Sequence, residues 1–96
     1  MIIGVLQVEL MIHQAQSLKD KRRVVMSIKD RLHHDHQVSV AEVDAMDNPN
    51  RAVLGVVLAS NDARHTQSVL DRILDQFRVH PACVLGAFHS EMISGR

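Results

Sequence analysis

From Ile2 to Ile12 two sets of side chains alternate: Ile2, Leu6, Val8, Leu10 and Ile12 fall on one side, Ile3, Val5, Gln7, Glu9 and Met11 on the other. A period of two over this length predicts a strand with one buried face and one mixed face. Gly4 interrupts the apolar side, which suits a place where a helix packs close to the backbone. The period then changes. Ser17-Leu18-Lys19-Asp20 sets a hydroxyl at a helix cap and a carboxylate three residues on, a near capping box. Leu18, Val24, Val25, Ile28 and Leu32 recur at helical spacing, predicting a helix from Leu18 to His34 whose opposite face is charged and mostly basic. His33-His34-Asp35-His36 ends it.

Val38 to Val43 reads as a second, short strand, and Asp44 to Asn50, rich in Asp, Asn and Pro, as a turn between antiparallel strands. Ala52 to Ala59 is apolar at nearly every position, as in a central strand covered on both sides. Gly55 within it suggests another close helix contact. Ser60-Asn61-Asp62 offers side-chain acceptors to cap a second helix, with Ala63, Val69, Leu70, Ile73, Leu74 and Phe77 as its buried stripe and Pro81 just past its end. Cys83 to Ile93 closes the chain as a fourth strand. Strand–helix–strand–strand–helix–strand is the split βαβ order of ferredoxin-like α+β folds. Right-handed crossovers then place both helices on one face of a four-stranded antiparallel sheet. By analogy with that fold the strand order is 4-1-3-2, which centres the two most apolar strands.

The 96 residues, 46% of them hydrophobic and 23% charged, fit one domain spanning 1–96 and leave no room for a second. Eleven Lys and Arg balance eleven Asp and Glu, so no global field announces a polyanionic or membrane partner. The single Cys83 excludes an intramolecular disulfide framework and fits a reducing, cytoplasmic setting. Ile2 to Ile12 lacks the basic leader and cleavage site of a secretory signal, and no apolar run approaches the ~20 residues of a membrane span.

Four segments in register are familiar together: Met1 to Leu10, Ser17-Leu18-Lys19-Asp20-Lys21-Arg22-Arg23, Val38 to Asp44, and Ala52-Val53-Leu54-Gly55 leading to Ser60-Asn61-Asp62. Over about residues 1 to 81 they resemble the YlxP-like family, small bacterial proteins classed as a domain of unknown function. The resemblance implies a ferredoxin-like fold, and it supplies no catalytic site to carry over. Members are often encoded near translation-initiation and ribosome-maturation factors. The chain departs from the family pattern in the turn, where a Trp commonly stands two residues before the arginine and Pro49 here precedes Asn50-Arg51. The His33-His34-Asp35-His36 cluster is also outside that pattern.

Charge is segregated even though the total is zero. Lys19, Lys21, Arg22, Arg23, Lys29 and Arg31 lie on the first predicted helix against Asp20 and Asp30. Such a face suits backbone phosphates, with Lys19, Lys21, Arg22, Arg23 and Arg51 as the candidate contacts. The blander reading is a solvated amphipathic helix whose long basic stems skirt the core. Base-stacking readout is not expected, since Phe77 and Phe88 are the only aromatic residues and Phe77 belongs to a core stripe. No Gly-x-x-Gly clamp is present.

The remaining chemistry-bearing groups have plain explanations. His33, His34 and His36 with Asp35, and His65 beyond them, offer metal-ligand types, but adjacent residues at a helix end rarely converge on one ion, and imidazoles suit a negative helix terminus. Asp44, Asp47, Asn48 and Asn50 lack calcium-loop spacing and read as turn residues. Cys83 with His80 three residues earlier has no orienting acid or oxyanion donor. No phosphate loop, nucleophile elbow or zincin motif occurs. The expectation is therefore a non-enzymatic accessory protein without metal or cofactor, associated with RNA or the ribosome rather than with DNA or membrane. The alternative is a structural or regulatory module that self-associates through its sheet and binds a small ligand. The face of Ile3, Val5 and Met11, joined by Val53, Val57 and Ala59 or by Leu54, Val56 and Leu58 depending on register, is apolar enough to predict a sheet-to-sheet or edge-mediated homodimer.

Overall fold

The computed structural model describes residues 1–95. Its elements are β1 (Ile2–Ile12), α1 (Leu18–Asp35), β2 (Ser39–Asp44), β3 (Arg51–Ser60), α2 (Ala63–Arg78) and β4 (Cys83–Ser94). The four strands form one antiparallel sheet in the order β2-β3-β1-β4, the expected 4-1-3-2 read from the other edge. The fold is ferredoxin-like α+β. Both helix starts are capped as their sequences require. Ser17 Oγ accepts from Asp20 N at 3.1 Å, and Asp62 Oδ1 accepts from Arg64 N at 2.8 Å and His65 N at 3.2 Å.

The core lies between the helices and one face of the sheet. Leu6, Val8, Leu10 and Ile12 of β1 meet Ala52, Leu54, Val56 and Leu58 of β3, with Val25, Ile28, Leu32, Val69, Leu70, Ile73, Leu74 and Phe77 closing from the helices. Pairing of Val5 with Val57 and Glu9 with Val53 settles the β3 register: Val53, Val57 and Ala59 share the open face with Ile3, Val5 and Met11. Ile2, the first residue of the strand, is only half-buried.

Gly4 is the close approach its position suggested, since a Cβ there would sit 2.5 Å from Thr66 Cγ2 on α2 and 3.0 Å from Leu58 Cδ2. Gly55 is not. A Cβ at Gly55 would meet Val43 Cγ1 of the neighbouring β2 at 3.1 Å, so it relieves cross-strand crowding on the open face, away from the helices. Two helix residues also exchange roles. Ala63 of the expected α2 stripe is exposed in the first turn, and Thr66 is buried in its place with its hydroxyl donating to Asp62 O at 3.0 Å.

Candidate nucleic-acid interface on the first helix

The buried side of α1 consists of Lys21, Val25, Ile28 and Leu32, spaced i, i+4, i+7 and i+11. Lys21 therefore occupies a core position, with 0% of its surface exposed. Its ammonium donates to the carbonyls of Ala45 at 2.8 Å, Met46 at 3.2 Å and Arg51 at 3.2 Å. Those bonds consume its three protons. Glu42 Oε2 stands 2.7 Å away as a counter-charge and has no hydrogen-bond partner of its own. This corrects the expectation for Lys21: it is not a phosphate contact but a clamp holding the β2–β3 turn against α1. The turn needs holding, because Ala45 adopts a left-handed φ of 58°, a conformation costing an L-residue roughly 1–2 kcal/mol. Asp44, Asn48 and Asn50 complete it: Asp44 Oδ1 and Asn48 Oδ1 accept backbone N–H bonds, and Asn50 Nδ2 donates to Ala15 O.

Arg51 is corrected as well. Its side chain lies on the open sheet face, where the guanidinium meets Glu9 with Nε 3.1 Å from Oε1 and Nη2 3.3 Å from Oε2. This bidentate contact holds the Glu9 carboxyl below its usual range and raises Arg51. Its charge is matched, and the sheet separates it from the exposed side of α1.

Lys19, Arg22 and Arg23 are exposed and have no ion-pair partner among the described residues. Their i, i+3, i+4 spacing puts them on one face over about one turn. Lys29, half-buried and likewise unpaired, lies on the flank of this face two turns on; Asp30 is the one acid near its centre. Arg31 points away and bonds Asp35 at 2.9 Å. The three leading cations stand at the N-terminal end of the helix, where the macrodipole is positive, and beside one another. The dipole acts on Lys19, the one of the three in the first turn, and disfavours it by about 0.3–1 kcal/mol, while Arg22 and Arg23 add only their mutual repulsion. Asp20, which accepts from Gln16 N at 3.1 Å, offsets part of this. Folding alone does not account for them.

The other candidates are tied up in structure. Between the C-terminal turns of α1 and α2 lies an open groove of about 860 Å³, lined by Ile28, Leu32, Phe77 and Pro81 with a polar mouth. At that mouth Asp35 accepts from Arg31 and from Gln76 Nε2 at 2.7 Å, His34 Nδ1 lies 3.2 Å from it, and His36 Nε2 donates to Gln76 Oε1 at 2.6 Å. The Arg31 bond, aided by His34 and Gln76, holds the Asp35 carboxyl down to about 2. The His cluster thus ties α1 to α2, and among the described residues no three His, Cys, Asp or Glu groups converge as a metal site. Cys83 is buried and its thiol is pushed up by burial. His80 Nδ1 accepts from Ala82 N at 3.1 Å.

On the open sheet face Ile3 and Val5 are half-buried by their cross-strand neighbours, and Met11 is exposed near the Glu9–Arg51 pair. Polar groups cut this face: Gln7 stands between Val5 and Glu9, and His89 and Glu91 of β4 pair with Gln7 and Val5. Among the described residues no helix is long and apolar enough to cross a membrane.

Two comparisons with known proteins agree. Residues 3–89 match the model of a family described as a protein of unknown function, DUF503. The chain is also 33% identical over 73 residues to an uncharacterized protein, YlxP, from Bacillus subtilis (strain 168), covering 76% of this chain and 79% of that one.

Proposed function

The chain belongs to the DUF503 family, of which YlxP is a relative, and we propose that it is a non-enzymatic accessory protein that binds structured RNA through the phosphate backbone. The observation that carries this reading is the trio Lys19, Arg22 and Arg23, exposed, unpaired among the described residues and crowded together on one face of α1. Three such cations on one turn match successive phosphates, and Lys29 extends the row. Recognition is by charge and shape. Phe77 is buried in the core and Phe88 lies on β4 under Arg78, so no aromatic platform for base stacking exists on the open face. A catalytic reading has little support, because Arg31, His34 and Asp35 at the groove mouth are engaged with one another and His80 accepts a backbone N–H bond. A small-ligand reading is weaker for the same reason. Self-association through the sheet uses a different surface from α1, so it competes with nothing here.

Fluorescence anisotropy with a labelled structured RNA tests the proposal. With three phosphates neutralised, affinity falls roughly 20- to 40-fold between 50 and 200 mM salt. Arg22→Glu/Arg23→Glu abolishes binding while the circular dichroism spectrum is unchanged, since both side chains are exposed. Unaltered binding by that variant, or binding insensitive to salt, refutes the assignment.

A further inference from the structure

β4 is an edge strand of 12 residues, CVLGAFHSEMIS, without Lys, Arg or Pro. Those residues, with bulges and brevity, are the usual protections of an open edge. The other edge, β2, is protected by brevity, charge and irregularity instead: it is six residues long, carries Glu42 and Asp44, and shifts register beside β3. β4 shifts register only opposite Val8 to Leu10, which leaves its C-terminal half regular against Ile2 to Val8. That half is also little covered on both sides. Every residue from Gly86 to Ser94 is exposed, and α2 covers this stretch only thinly, with the Arg78 guanidinium 5.8 Å from the Phe88 ring. On the helix side this leaves Phe88 48% and Met92 41% exposed, and on the open side Ile93 is similarly bare.

We propose that β4 pairs with β4 of a second copy, antiparallel about a two-fold axis at Ser90, to make one continuous eight-stranded sheet. The sequence around Ser90 is complementary to itself in this register. His89 falls opposite Glu91 of the second copy, and Glu91 opposite its His89, so the only two ionisable side chains of the segment pair twice across the axis. Phe88 falls opposite Met92 on the helix side, a favourable sulfur–aromatic pair, and Ala87 opposite Ile93 on the open side. Shifting the axis to His89 would set His89 against His89 and Glu91 against Ala87, and shifting it to Glu91 would set Glu91 against Glu91 and His89 against Ile93. The pairing satisfies the ladder's free backbone groups at roughly one hydrogen bond per paired residue. It also covers the apolar side chains that α2 leaves bare. Since α1 packs by β2, at the far edge of the sheet, the two basic helices stay accessible at opposite ends of the dimer.

Sedimentation equilibrium of the full chain at micromolar concentration is expected to give twice the 10.8 kDa chain mass. His89→Glu, which sets Glu against Glu twice, weakens dimerisation roughly 10- to 100-fold, and His89→Glu/Glu91→Lys restores it. Both side chains are well exposed and meet within one chain only at 3.9 Å, so circular dichroism of His89→Glu should show the monomer fold retained. Ser90→Cys forms an intermolecular disulfide under mild oxidation, because facing Cα atoms of an antiparallel pair lie ~4.5–5.5 Å apart, while the wild type with its buried Cys83 does not. A monomer at all concentrations overturns the proposal. So does a dimer that ignores the charge reversal, fails to be rescued by the swap, or does not cross-link through position 90.

Discussion

Replacing Lys21 with Met keeps the length and volume of the stem but removes the ammonium, so the effect isolates the charge. Three carbonyls lose their donor, and Glu42 Oε2, 2.7 Å from the missing nitrogen, is left as a buried carboxylate oxygen with no partner. Deleting one member of a buried pair costs about 3–5 kcal/mol. The Glu42 side chain keeps 17% of its exposure, so water reaches part of it and the lower end, about 3 kcal/mol, is expected. That is a large share of the ~5–15 kcal/mol by which domains of this size are stable. It corresponds to a melting point lower by roughly 12–24 °C. Urea unfolding followed by circular dichroism measures the loss as a shift in midpoint at constant slope. Adding Glu42→Gln removes the orphaned charge, so the double variant should be at least about 1 kcal/mol more stable than Lys21→Met alone. A single-variant loss under about 1 kcal/mol, or simple additivity in the double, would refute the clamp.

Other consequences follow from the same geometry. Gly4→Ala drives a methyl into Thr66 Cγ2, and Thr66 cannot turn away without releasing its bond to Asp62 O, so α2 must shift; a loss of about 1–3 kcal/mol is expected by thermal melting, and an unchanged melting point would contradict the close contact. Asp35 is depressed in the fold to about 2 from 3.8, so its stabilising contribution is complete above the ordinary value and lost as pH falls toward 2. The stability gap between wild type and Asp35→Asn should close over that window; an Asp35 carboxyl that titrates at its ordinary value by carbon NMR would count against the Arg31–Asp35–Gln76 network. Cys83, buried with a raised thiol pKa, should react with a thiol reagent only as fast as the chain opens, and rapid labelling at neutral pH would show that the strand start is exposed.

Most of the fold was legible because local signals agreed. The alternation of β1, the caps at Ser17 and Asp62 and the polar turn at Asp44–Asn50 each point to one element, and their order points to one topology. Gly4 was readable as a close contact because it breaks an otherwise apolar buried row. Gly55 was not, since a nearly all-apolar strand does not reveal which of its faces a glycine serves. The candidate site was legible as charge but not as geometry. Lys21 was counted with its basic neighbours, although its spacing from Val25, Ile28 and Leu32 already places it on the apolar stripe. Residue type outweighed period in that reading, and the carbonyls that make a buried lysine tolerable come from a turn more than twenty residues away. Arg51 was misread for a related reason: its partner Glu9 is opposite in the sheet but distant in sequence.

The run Lys19-Asp20-Lys21-Arg22-Arg23 therefore divides its work by helical angle. At about 100° per residue, Lys21 is carried inward while Lys19, Arg22 and Arg23 are carried out. The inward lysine fixes where the N-terminal end of α1 sits against the β2–β3 turn, and so fixes where the three outward cations are displayed. A Lys21 variant that remains folded should thus weaken RNA binding without losing any exposed charge, through a looser helix terminus. The size of that effect separates the two roles: a loss that scales with fraying of α1, seen by amide exchange at Arg22 and Arg23, marks positioning. A loss with those amides still protected would mean that Lys21 reaches the phosphates itself, and that its buried clamp opens on binding.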